Sequence, residues 1–225
     1  MENEREITIP SRKRDCPLKP PENCLVFTRH GEPDLPSPAN IFLGHSGPGL
    51  SSLGKIQAEK VASWAKQFSW QGCFCSPLDR SMETAEIICK DLDVEPEVRK
   101  ELAEIDLGDW DGQKRSDIPM KYPRLWEQRE KDLYLFRYPG GESFADLEAR
   151  AVPFVISLIE AGGRWLVVSH AGIFRVLLHS LFDIPFPGTF RFDPRYTGIR
   201  FLERNEISII VSGFEKTGYF RMGSA

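Results

Sequence analysis

The chain has 225 residues, 41% of them hydrophobic and 28% charged, the proportions of a globular protein with a sizeable core and not of a disordered one. Its 29 basic and 33 acidic side chains leave a net charge of −4, which counts against a nucleic-acid binder that works by neutralising phosphates. No apolar run approaches the roughly 20 residues that span a bilayer. Residues 1–22 lack the apolar core of a signal peptide, so the expectation is a cytoplasmic protein with neither membrane nor nucleic acid as partner.

Five cysteines, at positions 16, 24, 73, 75 and 89, are an odd number without framework spacing and read as reduced thiols. Cys73 and Cys75 are separated by one residue, not the two usual in zinc motifs, so no metal site is expected.

In chain order, residues 1–22 are polar and carry Pro10, Pro17 and Pro20, a flexible tail. Residues 24–28 (CLVFT) read as a buried strand. A loop over residues 31–50 follows, rich in proline and glycine, and loops of that length are usually functional or disordered. Residues 53–68 place Leu53, Ile56, Val61, Trp64, Ala65 and Phe68 on one helical face, and residues 73–75 form a short second strand. Ser76-Pro77-Leu78-Asp79 carries the signals of a helix start: Ser76 as cap, Pro77 at the first helical position and Asp79 in the first turn.

Residues 101–142 are less regular and read as an insertion. Ser143 caps a helix whose apolar face is Phe144, Leu147, Ala151, Val155, Leu158 and Ile159, with Pro153 expected to kink or split it. Residues 165–169 (WLVVS) form a third buried strand, and a helix follows from about Ile173 to Phe182. Residues 198–212 resemble a hairpin. The alternation predicts an α/β fold with a mainly parallel central sheet flanked by helices. Because it runs unbroken, one domain is expected over residues 23–225.

Charged residues sit where the buried strands give way to loops: Arg29 and His30 after the first, Arg80 just inside the helix after the second, His170 after the third. Ligands of open α/β sheets bind beyond the carboxyl ends of the strands. The topology therefore brings two imidazoles and two guanidiniums to one end of the sheet, a set suited to a phosphoryl ligand.

Thr28-Arg29-His30-Gly31-Glu32, the run from Ser76 to Ala85, and Val168-Ser169-His170-Ala171-Gly172 resemble the three signature segments of the histidine phosphatase superfamily, which includes the cofactor-dependent phosphoglycerate mutases. The run from Glu101 to Gly112 resembles the segment that bears its acid. Gly140-Gly141-Glu142-Ser143 is similar to the segment opening a later helix in the phosphatase branches, α-ribazole phosphatases among them.

The resemblance implies a phosphoglycerate mutase-like fold with a helical insertion over the active site. It implies a histidine acid phosphatase-type phosphoric monoester hydrolase acting on a small-molecule phosphate ester, with no metal and no cofactor. His30 is implied as the nucleophile that becomes a phosphohistidine. Arg29, Arg80 and His170 are implied as holders of the phosphoryl oxygens, and Glu104 as the group that protonates the leaving alkoxide and then activates water.

Many family members place threonine and asparagine near the phosphate where this chain has Pro33 and Pro36, and Asn40 and Ser46 are the candidates to replace them. Glu32 reads as structural, His45 as a loop residue and His179 as helix packing, while Arg175 suits either phosphate or a buried ion pair. Between Glu104 and His170 lie 65 residues, fewer than in the mutases, which favours a phosphatase. α-Ribazole 5′-phosphate is the leading specific substrate. The alternatives are a phosphoglycerate mutase and a binding protein on the same fold. Tyr122, Trp126, Tyr134, Phe136 and Tyr138 either pack the insertion onto the domain or form a lid that touches substrate.

Overall fold

The computed structural model describes residues 19–192 and 194–202. Five strands make one sheet: β1 (Cys24–Arg29), β2 (Gly72–Cys75), β3 (Pro96–Val98), β4 (Arg164–Ser169) and β5 (Ile199–Leu202). Their order across the sheet is β3-β2-β4-β1-β5. The first four run parallel and only β5 is antiparallel, against β1. The helices are α1 (Ser52–Ala65), α2 (Asp79–Cys89), α3 (Ile118–Lys121), α4 (Pro123–Lys131), α5 (Phe144–Ala161) and α6 (Ala171–Phe182). The expected α/β architecture with a mainly parallel sheet is what the chain adopts.

The core lies on both faces of the sheet, as it must when helices cover a parallel sheet from two sides. Leu25, Phe27, Phe74 and Val167 point to one face with α5 and α6, while Val26, Cys73, Cys75, Leu166 and Val168 point to the other with α1 and α2. Successive strand residues alternate between faces, so the near-continuous apolar runs of the sequence are these two half-cores interleaved. The described cysteines, Cys24, Cys73, Cys75 and Cys89, are free and buried. Burial pushes the Cys75 thiol up to about 12, which leaves it inert.

Several local expectations change on folding. Pro153 does not break α5, which runs unbroken through it. Pro153 and Ala149, one turn before it, both lie on the exposed side, where water can take the Ala149 carbonyl that proline leaves without a donor. Ser76 is not a helix cap: α2 starts at Asp79, after Leu78, and the Ser76 hydroxyl is used elsewhere. Leu53 and Ile56 are each 49% exposed. The buried side of α1 is instead Gly54, Ala58, Val61, Trp64 and Ala65, because its first turn closes on backbone rather than on a core. The edge strand β3 carries no apolar signal, its residues being Pro96, Glu97 and Val98. The N-terminal tail up to residue 18 and the second half of the expected hairpin fall outside the described residues.

The insertion is organised on Trp110, which is fully buried. Tyr122 and Trp126 stack on it at 6.0 and 6.2 Å, and Phe136 and Tyr138 flank it at 5.6 and 5.4 Å. Tyr134 packs on His179 and Phe186. These aromatics hold the insertion to the body of the domain. Its start also pairs with the long loop after β1, through Ile41 and Lys114 and through Phe42 with Gly112 and Gln113.

At the start of α1, the Cβ of an alanine at Gly54 would stand 2.2 Å from the Glu32 carbonyl oxygen. The nearest atoms are all Glu32 backbone, so the contact has no side chain that could yield. Gly54→Ala should destabilise the fold by about 1–3 kcal/mol, read from the urea midpoint at unchanged m-value.

Candidate active site

Three parallel strands in register put their last residues side by side: Arg29 pairs with Ser169, and Cys75 with Val168. The residues that follow, His30, Ser76 and His170, leave the same edge of the sheet. The backbone continues the ladder one step further, His30 N–H donating to the Ser169 carbonyl and Ser76 N–H to that of Val168. The Thr84 hydroxyl accepts from Gly31 N–H at 2.9 Å and donates to the Arg80 carbonyl at 2.7 Å, tying α2 to the loop after β1.

His30 and His170 stand with ring centroids 5.0 Å apart, and both are essentially fully buried. His30 Nδ1 lies 2.7 Å from the Gly31 carbonyl oxygen. A carbonyl only accepts, so Nδ1 carries the proton and Nε2 the lone pair. Burial holds the His30 imidazole well below its ordinary protonation range, and the Arg29 and Arg80 charges push in the same direction. His170 is shifted the same way by burial and then by Arg80, His30 and Arg29. Its Nε2 is 2.7 Å from the Ser76 hydroxyl, while its Nδ1 is buried without a partner among the described residues.

Arg80 is 1% exposed. Its guanidinium donates to the Gly44 carbonyl at 2.6 Å and the Ser46 carbonyl at 3.0 Å. The loop that carries those carbonyls is pinned by Asp111, whose carboxylate accepts from Gly44 N–H at 2.7 Å and Ser46 N–H at 2.6 Å. Arg29 donates to the Pro194 carbonyl and lies 4.0 Å over the Tyr196 ring, which is itself 5.5 Å from His30.

Glu104 joins this group from outside the sheet and is only 8% exposed. Both its carboxylate oxygens accept from Gly172 N–H at 3.1 Å, in the first turn of α6, where the helix dipole favours an anion. A Cβ at Gly172 would stand 2.1 Å from Glu104 Oε1, so glycine is what lets the carboxylate reach that turn. His45 Nε2 donates to the Glu104 carbonyl at 2.8 Å.

The structure thus brings together all five residues singled out from the sequence: Arg29, His30, Arg80, Glu104 and His170. Among the other candidates, Glu32 accepts from Ser51 at the start of α1 and is structural. His179 packs in an aromatic cluster, and Arg175 donates to the Thr189 carbonyl and lies over Phe190. Ser46 serves through its carbonyl, and the Asn40 carbonyl is taken by Arg115 N–H. Sequence reasoning missed Ser76 as the partner of His170, Asp111 as the loop clamp, Tyr196, and the reach of His45. Tyr196 had no signal, because its place follows from β5 folding back antiparallel to β1. Among the described residues no group of three or more His, Cys, Asp or Glu side chains is placed to hold a metal ion, and no helix is long and apolar enough to cross a membrane.

Buried donors and cationic forks converging beyond the carboxyl edge of a parallel sheet suit a tetrahedral oxyanion such as a phosphoryl group. Residues 25–215 match the histidine phosphatase superfamily (branch 1), and the chain belongs to that family. It is 32% identical over 163 residues to a Caenorhabditis elegans 6-phosphofructo-2-kinase/fructose-2,6-bisphosphatase, covering 72% of this chain and 34% of that one. A Mus musculus relative of the same name, numbered 1, is 34% identical over 161 residues, covering 71% and 32%. The chain spans about a third of the length of the curated relatives it matches.

Among solved structures, the mycobacterial glucosyl-3-phosphoglycerate phosphatase complexed with VO3 superposes with a TM-score of 0.68 at 25% identity, covering 80% of this chain and 92% of that one. The α-ribazole phosphatase from Shigella flexneri gives 0.73 at 22%, covering 89% and 96%, a likeness of fold.

Because both histidines are held neutral, the unfolded chain binds more protons than the folded one below their ordinary pKa of 6.5. Their contribution to stability is complete above that value and is lost as pH falls below it. The urea midpoint should therefore drop between about pH 7 and pH 5, and His170→Gln should flatten the drop. A variant curve parallel to the parent's would show that the His170 ring is not held neutral.

Proposed function

We propose that the chain is a metal-independent phosphomonoesterase working through a phosphohistidine on His30. The observation that carries this reading is the His30 tautomer: Nδ1 donates to the Gly31 carbonyl, which leaves the lone pair on Nε2, in a ring that feels the charges of both Arg29 and Arg80. A neutral imidazole is the nucleophilic form, and burial beside Arg29 and Arg80 maintains it.

In the first step Nε2 attacks phosphorus and the P–O ester bond breaks. Glu104 delivers its proton to the departing oxygen, and the carboxylate so formed is received by Gly172 N–H and Ile105 N–H. In the second step Glu104 takes a proton from water as that water attacks the phosphohistidine. Inorganic phosphate leaves and His30 is restored. Arg29, Arg80 and the Nδ1 of His170 hold the phosphoryl oxygens, and positioning with charge stabilisation supplies most of the acceleration.

The substrate class is a small organic phosphate ester. Sugar phosphates come first, since relatives above 30% identity bear the name fructose-2,6-bisphosphatase. α-Ribazole 5′-phosphate comes second, because the proteins of that name share the fold at 22–23% identity.

Mixing the protein with a 32P-labelled ester and quenching in base should trap label on the wild-type chain and none on His30→Ala. Steady-state hydrolysis across p-nitrophenyl phosphate, sugar phosphates and α-ribazole 5′-phosphate should survive chelator. The acid limb of kcat/KM should lie below pH 6.5, the ordinary histidine value, because His30 is held below it. Equal labelling of His30→Ala would refute the reading. Transfer between hydroxyls of a phosphoglycerate with little hydrolysis would make the chain a mutase instead.

A further inference from the structure

Glu104 sits on a segment with no regular structure of its own. A single turn of 3-10 helix ends at Leu102 and the next begins at Gly108, so the residues around Glu104 have no ladder or long helix to hold them in place. Backbone carbonyls away from water need a donor. One side chain, Arg150 of α5, serves four of the carbonyls from Lys100 to Glu104, while the Ser169 hydroxyl takes that of Leu102 and His45 shares that of Glu104. Arg150 Nη1 reaches the Glu101 carbonyl at 2.8 Å and the Lys100 carbonyl at 3.3 Å. Its Nη2 reaches the Ala103 carbonyl at 2.9 Å and that of Glu104 itself at 3.0 Å.

The guanidinium is oriented in turn by Glu142, whose two carboxylate oxygens receive Nε at 2.9 Å and Nη2 at 3.0 Å. Glu142 also grips the far side of Glu104: it accepts from Asp106 N–H at 3.2 Å through its carboxylate, and its own N–H donates to the Asp106 carbonyl at 2.8 Å. The segment is therefore held on both sides of Glu104 by one ion pair, with the carboxylate of Glu104 anchored separately at Gly172.

We propose that Arg150, with Glu142, is a positioning residue that sets the Glu104 carboxylate for proton transfer to the leaving oxygen. The inference rests on the reading of Glu104 given above. A planar fork with five donors can serve four carbonyls and a carboxylate together. The ammonium of a lysine has three donors around one point and cannot span them.

The test uses two esters that need the acid to different degrees. β-Glycerophosphate has a poor leaving group and depends on protonation; p-nitrophenyl phosphate leaves unaided. The measured quantity is kcat/KM, which reports the steps up to the phosphohistidine. Glu104→Gln should lower it for β-glycerophosphate by about 10²–10⁴ while lowering it far less for p-nitrophenyl phosphate. Arg150→Lys should show the same selectivity at smaller size, about 10–100-fold against under about 3-fold.

In the Glu104→Gln background, Arg150→Lys should add no further selectivity, because it acts through the missing group. Should Arg150→Lys not fold, Glu142→Gln loosens the same clamp and is read in the same way. An equal fall on both esters, with Glu104→Gln selective, makes Arg150 merely structural and overturns the proposal. If Glu104→Gln is itself unselective, the assignment of Glu104 fails first.

Discussion

The site depends on keeping two buried imidazoles uncharged beside two guanidiniums. Burial is the leading cause for both rings, with the arginine charges next. The way Arg80 is held makes this effective. Its guanidinium is met by the Gly44 and Ser46 carbonyls, and it forms no ion pair among the described residues. Carbonyl dipoles orient the charge without cancelling it, whereas a paired carboxylate would. The positive field remains unspent, and on the function proposed above it would draw in a dianion while denying a proton to the nitrogen assigned to attack it.

That arrangement explains the weight of backbone structure around the pocket. The loop after β1 is clamped by Asp111 at Gly44 and Ser46, so it delivers its carbonyls to Arg80 at fixed places. The two histidines need no such clamp. They leave the ends of β1 and β4, neighbouring strands paired over six residues each, and inherit their separation from the sheet itself. Pro33 and Pro36 fit this division. Pro33 bridges to Leu50 and helps shape a loop whose contribution to Arg80 is made through main-chain oxygens, for which a side-chain donor is unnecessary.

The sequence legibly announced what periodicity and strand ends determine. Apolar runs located β1, β2 and β4, and the residues just past them share one edge. It was less informative wherever tertiary contacts decide. Ser76 has every mark of a helix cap, yet the hydroxyl is claimed by His170, a residue 94 positions away. Leu53 and Ile56 have helical spacing toward a core, but α1 approaches the loop after β1 through Gly54, and that close backbone contact turns the first turn's apolar side chains outward. Pro153 has the look of a break because local rules cannot tell which side of a helix water will reach. β3 lacks a hydrophobic signal because an edge strand is defined by the neighbour it pairs with, here β2.

The pocket combines two kinds of support, and the difference bears on how such a site can vary. His30 and His170 are fixed by a parallel ladder, which tolerates little change without loss of the sheet. Glu104 hangs on an irregular segment fixed by side chains, chiefly the Arg150–Glu142 pair and the first turn of α6. Phosphoryl capture is common to every ester the fold can take, so a rigid cradle serves all of them. Proton delivery must instead suit the particular leaving group, whose oxygen shifts with its size and attachment. With Glu104 in the role proposed for it, mounting the acid on a separately held stretch of the insertion, ahead of the aromatic cluster around Trp110, lets that geometry change by substitutions which leave the sheet and its two imidazoles untouched.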